Sequence, residues 1–285
     1  MDHEAGTREL FEALGFVWDR HLFAFDAVAH GVERACFRMH KLLANYVWDA
    51  CVLEGNPFTF PQVQTILDGI TVGGHRLSDE DQVRNLAAST KALIRLVRSG
   101  SFSLDKRTFC ALHALVAREE AMEWGHFRGE GAEKNYTPHV GLGGAEYVPP
   151  ATGPAAVELN RIFDVGVGKL EQHAQPPVER AIAFFLFGAL QQFFFDGNKR
   201  TSRLMMNGVL MSHGIDAISI PAARAQEFNE RMVRFYLDRD ASEMMDFVLG
   251  CHPDAVLMRA AASASESSGA PNGRRPRSEG GRGTA

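Results

Sequence analysis

The sequence predicts an all-α protein, and three features of its 285 residues indicate this fold class. Apolar residues recur at spacings of three and four along most of the chain, which is the period of an amphipathic helix. The periodic segments begin at capping residues or proline and end at glycine, as helices do. Strand-like signal is scarce, and the one plausible extended segment covers residues 136–150.

Helical signals in the N-terminal region start with a long segment. A helix is expected from about Phe25 to Val52. The next helix follows Thr59 as the N-cap, with Pro61 in its first turn and Gly69 as its stop signal. The second assignment depends on local capping and helix-breaking residues.

The following helix is predicted to begin at Ser78 as the N-cap and to close at Gly100. Acidic residues at positions 79–81 favour its first turn because they complement the helix dipole. A short hairpin is expected to turn at Gly143-Gly144. Further helices are predicted within residues 104–122, 176–193, 199–214 and 221–237.

Composition narrows the class of protein. Apolar residues make up 45% of the chain and charged residues 23%, as in ordinary globular proteins. The net charge of −5 gives no general reason to expect nucleic-acid binding. No segment resembles a DNA-recognition helix with clustered basic and amide residues, so a DNA-binding regulator is not favoured.

The cysteines and the apolar runs indicate a cytoplasmic protein with no membrane partner. The polar, acidic start MDHEAGTREL does not resemble a signal peptide. The run AIAFFLFGAL is too short to span a bilayer. The four cysteines are scattered without CxxC spacing, which argues against a zinc site or a disulfide framework and suits a reducing compartment. They are Cys36, Cys51, Cys110 and Cys251.

We expect three parts along the chain. Residues 1–100 form an N-terminal helical region, and residues 101–252 form the core domain. Residues 253–285 form a tail, because from about Ala260 the composition turns to Ser, Gly, Pro and Arg with no large apolar residue. Such a segment cannot bury enough surface to offset its ordering entropy, so we predict that the tail is disordered.

The segment FFFDGNKRTSR, residues 193–203, follows a buried helix and predicts a tight turn into a second helix. Gly197 permits close backbone approach, and Asn198 tolerates left-handed backbone angles. The first N–H groups of the second helix then point outward together, and the helix dipole makes them a site for an anion.

The charged residues of the same segment suit a polyphosphate. Arg200 and Arg203 are three residues apart, so both guanidinium groups can reach one ligand. Asp196 is placed to hold magnesium, which needs only one or two protein carboxylates. From the residues alone, the alternative stays open that this is a helix start with a capping acid and surface arginines.

This segment resembles the signature of the Fic (Fido-domain) family, H-x-F-x-[D/E]-G-N-[G/K]-R-x-x-R. Three more blocks agree in order: residues 51–69 resemble the inhibitory-helix segment, residues 125–150 the flap, and residues 218–233 the closing helix. The resemblance covers roughly residues 30–250. The signature matches are Phe194, Asp196, Gly197, Asn198, Arg200 and Arg203.

The resemblance implies an all-α Fic core with an N-terminal helical extension and a short β-hairpin flap. It also implies transfer of AMP from ATP, with Mg²⁺, to a hydroxyl of a target protein. Target docking falls on the flap between Tyr136 and Tyr147. The implied catalytic residues are Gln192, Asp196, Asn198, Arg200 and Arg203; the nucleotide-binding residues are Gly197, Asn198, Lys199, Arg200 and Arg203; and the metal ligand is Asp196.

The first departure from the signature is Gln192, which stands where the family has its general base, a histidine. A glutamine amide cannot take up a proton near neutral pH. A positioned base is worth about 10² to 10⁴ in rate, so we expect weak or altered transfer with nucleotide binding retained. His139 in the flap is the one neighbouring histidine that could face the site, and we do not expect it to substitute.

The second departure is Lys199, where the commonest signature has glycine. Members of the family's Doc branch also carry lysine there and transfer the terminal phosphate instead of AMP. Phosphate transfer therefore stays open beside AMP transfer. A lysine that points to solvent at the helix start is the plainer interpretation.

The third departure is Ala50, where the inhibitory motif has serine or threonine. Glu54, four residues later, is retained and is followed by Gly55 and Asn56. The resemblance implies that Glu54 pairs with Arg203 and competes with a phosphate for the same guanidinium group. We therefore expect inhibition by Glu54 to survive.

Two functions compete on this sequence. One is a slow Fic-type nucleotidyltransferase. The other is a Fic pseudoenzyme that binds nucleotide and captures a partner peptide without chemistry. Gln192 is the residue that separates them. Helical Fic proteins often self-associate, so a homo-oligomer is one arrangement that the resemblance allows.

Overall fold

The computed structural model describes residues 2–260, and helices dominate this part of the chain. The all-α prediction is therefore confirmed. Short 3₁₀ turns lie at Arg20–Phe23, Pro154–Ala156 and Ala222–Arg224. The helices are α1 (Asp2–Leu14), α2 (Val32–Lys41), α3 (Leu43–Leu53), α4 (Phe60–Leu67), α5 (Leu77–Arg98), α6 (Lys106–Val116), α7 (Val157–His173), α8 (Pro177–Gln191), α9 (Asn198–Ser212), α10 (Ala225–Asp238) and α11 (Ser242–Leu249).

Helices α8 and α9 pack against each other at the centre of the molecule. Side chains from Ala181 to Leu190 are buried, which explains why α8 is apolar on every face. The two helices meet closely, because a Cβ at Gly188 would lie 2.0 Å from the Ser202 hydroxyl oxygen. This tight crossing fixes the end of α8 and the start of α9 relative to each other.

A smaller apolar cluster joins α3, α4 and α5. Val47 of α3, Val63 of α4 and Val83 of α5 are each at most 1% exposed within it. Helix α5 also contacts α6 and α9 of the central packing. The α3–α4 connection is thereby held beside the start of α9.

The prediction of one long helix from Phe25 to Val52 is wrong. The backbone is not helical from residue 24 to Gly31, and the helix divides at Leu42 into α2 and α3. The reason is tertiary: the carbonyl of Gly214 accepts the N–H groups of His30 and Gly31 at 2.7 and 3.2 Å. Gly31 takes a positive φ of 97° there, which stops a helix from continuing through it.

The signals around α4 are confirmed. Thr59 caps the helix in a capping box, and its N–H donates to the Gln62 side chain at 2.8 Å. Gly69 follows the helix with a φ of 88°.

The predicted Ser78 cap is wrong by two residues, because α5 begins at Leu77 after Arg76. Helices α1, α7 and α11 are additional to those predicted.

The predicted hairpin is confirmed. Strand β1 (Val140–Gly141) pairs antiparallel with β2 (Glu146–Tyr147), and Gly143 and Gly144 both have positive φ in the connection. Within residues 2–260, no helix is both long and apolar enough to cross a bilayer.

The structure describes only the first residues of the predicted tail, up to residue 260. Residues 255–260 are helical and Met258 is fully buried, so the chain is still folded at the start of the 253–285 segment. Residues 261–285 lie outside the described residues. The boundary between residues 1–100 and 101–252 stays a prediction.

Candidate functional site

The turn between α8 and α9 has the predicted form. Gln192 ends α8 in the left-handed region, and Gly197 precedes α9 with a φ of 72°. A Cβ at Gly197 would lie 3.2 Å from the Ala117 Cβ and 3.4 Å from the His113 ring. The position therefore needs glycine both for its backbone angle and for this close approach.

The side chain of Asn198 holds the turn together. Its Oδ1 accepts the Phe194 N–H at 2.9 Å, and its Nδ2 donates to the Phe194 carbonyl at 2.8 Å and to Gln192 Oε1 at 2.9 Å. Asn198 is 3% exposed, so its amide braces the loop instead of facing a ligand. An anion would instead meet the backbone at the start of α9, where the first N–H groups have no acceptor within the helix.

His113 of α6 packs against the same turn and hydrogen-bonds to it. Its ring stacks on Phe194 at 3.6 Å, and its Nε2 donates to the Asp196 carbonyl at 2.9 Å. Its Nδ1 accepts the Gly125 N–H at 3.1 Å, which fixes the neutral tautomer. Burial lowers the pKa of His113 to about 3, so the ring is neutral near pH 7. Sequence reasoning missed this residue, although it is an isolated histidine on an apolar helix.

Arg128 joins the turn to the end of the flap and was also missed. It is fully buried, and its Nε donates to the Gln192 carbonyl at 2.6 Å. Its two terminal nitrogens donate to Thr152 Oγ1 at 2.6 Å and to the Pro150 carbonyl at 2.5 Å. Burial lowers the pKa of Arg128 to about 10, so the guanidinium keeps its charge at neutral pH. In the sequence, Arg128 is marked only by its position in the segment that resembles the flap.

The Gln192 amide is engaged at both ends. Its Nε2 donates to the Ala189 carbonyl at 2.6 Å, and its Oε1 accepts from Asn198. Tyr236 lies beside it, with its hydroxyl 3.5 Å from Nε2. Gln192 is 8% exposed. A bound, neutral amide thus occupies the position where the signature has a base.

The predicted contact between Glu54 and Arg203 is present. Glu54 follows α3, and its Oε1 lies 3.1 Å from Arg203 Nη2 while its Oε2 lies 3.4 Å from Lys199 Nζ. Burial alone would raise the pKa of Glu54, but Lys199, Arg203 and the nearby Arg200 together lower it to about 2. Lys199 therefore turns toward Glu54 instead of pointing simply to solvent.

Arg200 meets a residue that the sequence did not predict. Its Nη1 donates to Glu120 Oε2 at 2.5 Å, and its Nη2 lies 3.4 Å from Asp196 Oδ1. The Arg200 side chain is 3% exposed and that of Arg203 is 9% exposed. Both guanidinium groups are therefore buried, unlike the surface arginines of the alternative interpretation, and each is held by a different glutamate.

Two donors at this place have no acceptor. Within the described part of the chain, Arg203 Nη1 and Arg200 Nε are buried and make no hydrogen bond. Buried donors are nearly always satisfied in folded proteins, so these two indicate room for a further acceptor. An anion supplies such acceptors.

Asp196 is the most accessible acid of the turn. Its side chain is 62% exposed, and its Oδ1 accepts the Gly197 N–H at 2.5 Å. An accessible carboxylate at a phosphate site fits hydrated Mg²⁺, which keeps several waters and takes few protein ligands.

The two predicted docking tyrosines differ in accessibility. Tyr136 is 52% exposed and stacks on Phe195, with the two ring centroids 6.1 Å apart. Tyr147 is 8% exposed and stacks on Tyr236 at 5.1 Å, so its ring is committed to the interior. Any docking at Tyr147 has to use its backbone. His139 contacts Glu146 across the hairpin, with Nδ1 3.2 Å from Oε2.

A comparison with protein families matches residues 103–210 to the Fic/DOC family. The matched segment includes the turn, all of its charged residues, His113, Glu120 and Arg128. It does not include Glu54, which lies in the N-terminal region.

Curated relatives match more of the chain. The protein adenylyltransferase Fic of Drosophila willistoni is 25% identical over 243 residues, covering 82% of this chain and 46% of that protein. The protein adenylyltransferase Fic of Drosophila grimshawi is 25% identical over 210 residues, covering 72% of this chain and 40% of that protein. The chain thus spans less than half the length of these relatives.

Solved structures share the fold. Fic-1 from C. elegans aligns with a TM-score of 0.61 and 20% identity, covering 93% of this chain and 74% of that one. A Fic domain containing signaling protein from Bacteroides thetaiotaomicron aligns with a TM-score of 0.61 and 16% identity, covering 92% and 94%. Residues 103–210 therefore match a Fic/DOC domain, and the relatives and solved structures extend the likeness in sequence and fold over most of the chain.

Proposed function

We propose that this chain binds ATP with Mg²⁺ at the start of α9 and transfers AMP slowly to a hydroxyl of a target protein, with Glu54 as an inhibitor. The observation that carries the proposal is the Glu54 carboxylate on Arg203, beside the left-handed Gly197 turn. A carboxylate on a guanidinium fork occupies the place that a phosphate takes. The relatives named protein adenylyltransferase support the AMP-transfer reaction.

Each part of the site has a role in this reaction. The N–H groups at the α9 start bind phosphate oxygens, and Arg200 and Arg203 balance the charge that develops during transfer. Asp196 holds Mg²⁺, which neutralises charge on the phosphates when it is bound. The target hydroxyl oxygen bonds to the α-phosphorus, the bond to the β-phosphate oxygen breaks, and pyrophosphate leaves.

The hydroxyl proton is the difficult step in this chain. The Gln192 amide cannot accept it, so the proton goes to water or to a phosphate oxygen. The rate is then lower by about 10² to 10⁴, the usual contribution of a general base. We therefore expect slow transfer with intact nucleotide binding.

A second candidate is a nucleotide-binding pseudoenzyme. The observation that favours it is the bonding of both ends of the Gln192 amide, which leaves no free group at the base position. Phosphate transfer is a variant of the first candidate. Phosphate transfer is favoured by Lys199, whose amino group lies 3.4 Å from Glu54 Oε2 beside the arginines.

The deciding experiment uses ATP labelled at the α- or the γ-phosphate with the Glu54→Gly variant, alone and combined with Gln192→His. Asp68→Gly is a matched control, because Asp68 is likewise an acid at a helix C-cap before a positive-φ glycine, but its side chain is exposed. AMP transfer predicts α-label on protein with Glu54→Gly and a large increase on adding Gln192→His. Label only with Gln192→His indicates the pseudoenzyme, and γ-label without α-label indicates phosphate transfer. No nucleotide binding in any variant refutes the proposal.

A further inference from the structure

A chain of side-chain hydrogen bonds leads from the turn at residues 54–56 to Arg200. Asn56 Nδ2 donates to Gln82 Oε1 at 3.0 Å, and Gln82 Nε2 donates to Glu120 Oε2 at 3.1 Å. The same Glu120 oxygen accepts from Arg200 Nη1 at 2.5 Å. The turn that carries Glu54 therefore reaches a second arginine besides Arg203.

The donor and acceptor roles along this series of hydrogen bonds are fixed by the groups at its two ends. Glu120 as a carboxylate only accepts, so Gln82 must present its NH₂ to Glu120 and its oxygen to Asn56. The other Glu120 oxygen accepts from Asn85 Nδ2 at 3.2 Å. The Glu120 side chain is 12% exposed, so its carboxylate is held on three sides in a poorly solvated place.

The same contacts fix the orientation of Arg200. With Nη1 on Glu120, the guanidinium directs Nη2 toward Asp196, at 3.4 Å. A fork held by one carboxylate cannot rotate without leaving a buried charge unpaired, which is costly. Arg200 therefore meets the phosphate site in one orientation.

We propose that Glu120 is a positioning residue for Arg200, and that Gln82 transmits the position of the 54–56 turn to it. This inference rests on the proposed function, since it names the contacts that set an arginine of the nucleotide site. The turn then acts on both signature arginines: Glu54 occupies Arg203 directly, and Asn56 acts on Arg200 through Gln82 and Glu120. Displacement of the turn removes one bond from Gln82 and loosens Glu120.

The first arm of the test uses no nucleotide. We would record the guanidinium NMR signals of Arg200 in the full chain and in the variants Glu120→Gln, Gln82→Met and Glu119→Gln. Glu119 is the control, because this neighbouring acid is 71% exposed and lies 3.9 Å from Arg118. We expect the Arg200 signals to shift and broaden with Glu120→Gln and Gln82→Met and to stay in place with Glu119→Gln. Unchanged signals with Gln82→Met would overturn the relay.

The second arm measures ATP affinity by calorimetry in the Glu54→Gly background. We expect Glu120→Gln to weaken binding about tenfold, as loss of one charge-assisted hydrogen bond does. Gln82→Met should weaken it about threefold, and Glu119→Gln should leave it unchanged. Glu120→Asp should restore part of the affinity, because it returns the charge with a shorter reach.

The two arms separate this inference from the proposed function. If Glu54→Gly binds no ATP, the proposed function fails, and the NMR arm still decides whether Glu120 and Gln82 set Arg200. If ATP binds equally well with and without Glu120→Gln, Glu120 does not position Arg200 for the nucleotide, and the inference is wrong. Thermal melting of each variant tells loss of affinity apart from loss of fold.

Discussion

Replacement of Glu54 by glutamine should remove an acid-sensitive part of the protein's stability. The Glu54 carboxylate lies 3.1 Å from Arg203 and 3.4 Å from Lys199, and its pKa falls from 4.5 to about 2. A carboxyl group with a depressed folded-state pKa stabilises the protein above its unfolded-state pKa and loses this contribution as the pH falls toward the folded-state pKa. The relevant window for Glu54 is therefore pH 4.5 down to 2.

The size of the effect follows from the shift. A difference of about 2.5 pKa units corresponds to about 3 kcal/mol between the ionised and protonated forms, at 1.36 kcal/mol per unit. Integration from pH 6 to pH 3 covers about 2 kcal/mol of this amount, because most of the unfolded-state titration lies in that range. Glutamine has nearly the same shape and does not titrate, so the variant lacks this slope.

Urea unfolding of the native chain and the Glu54→Gln variant at pH 6 and pH 3 measures the effect. The free energies of unfolding should differ most at pH 6, and the gap should narrow by about 2 kcal/mol at pH 3. Asp68→Asn, at an exposed helix end, should give parallel results at both pH values. A constant gap between native and Glu54→Gln protein would show that Glu54 is not held by these cations, and the argument for inhibition would lose its basis.

Three further changes test the framework of the site. Gly197→Ala forces a left-handed alanine against Ala117 and should lower the free energy of unfolding by about 1–2 kcal/mol in urea unfolding; an unchanged value would contradict the turn geometry. His113→Phe keeps the stacking but loses two hydrogen bonds, so it should cost about 1–3 kcal/mol at pH 7. Because the buried ring has a pKa of about 3 against 6.5 when unfolded, native stability falls as the pH drops below 6.5, and the variant should lack this slope. Arg128→Lys cannot reach all its acceptors and should cost at least about 2 kcal/mol, while the exposed Arg118→Lys should cost nothing measurable.

The parts that sequence predicts well are those where local chemistry decides the outcome. The Gly197 turn, the Thr59 capping box and the Gly143-Gly144 hairpin each depend on a few adjacent residues. The contact between Glu54 and Arg203 spans 149 positions, and only the family resemblance made it predictable.

The parts that sequence misses depend on packing between distant segments. The long helix expected from residue 25 fails because Gly214 binds the backbone at Gly31, and nothing local announces that contact. Glu120 looks like one of two ordinary acids in AREEAM until the fold brings it to Arg200. Glu119 beside it is 71% exposed, so neighbouring identical residues take opposite roles for tertiary reasons alone.

The charge balance at the start of α9 indicates how a nucleotide would enter. Glu54 serves two cations, Arg203 and Lys199, whereas Arg200 is shared by two acids, Glu120 and Asp196. Departure of Glu54 therefore uncovers two positive charges at once, while Arg200 remains balanced. A triphosphate is the natural replacement for Glu54, because its several anionic oxygens satisfy both cations and the unbonded Arg203 Nη1 together. Neutralising Glu54 should thus improve ATP affinity, whereas neutralising Glu120 should weaken it, because its loss removes the support that holds Arg200 in place.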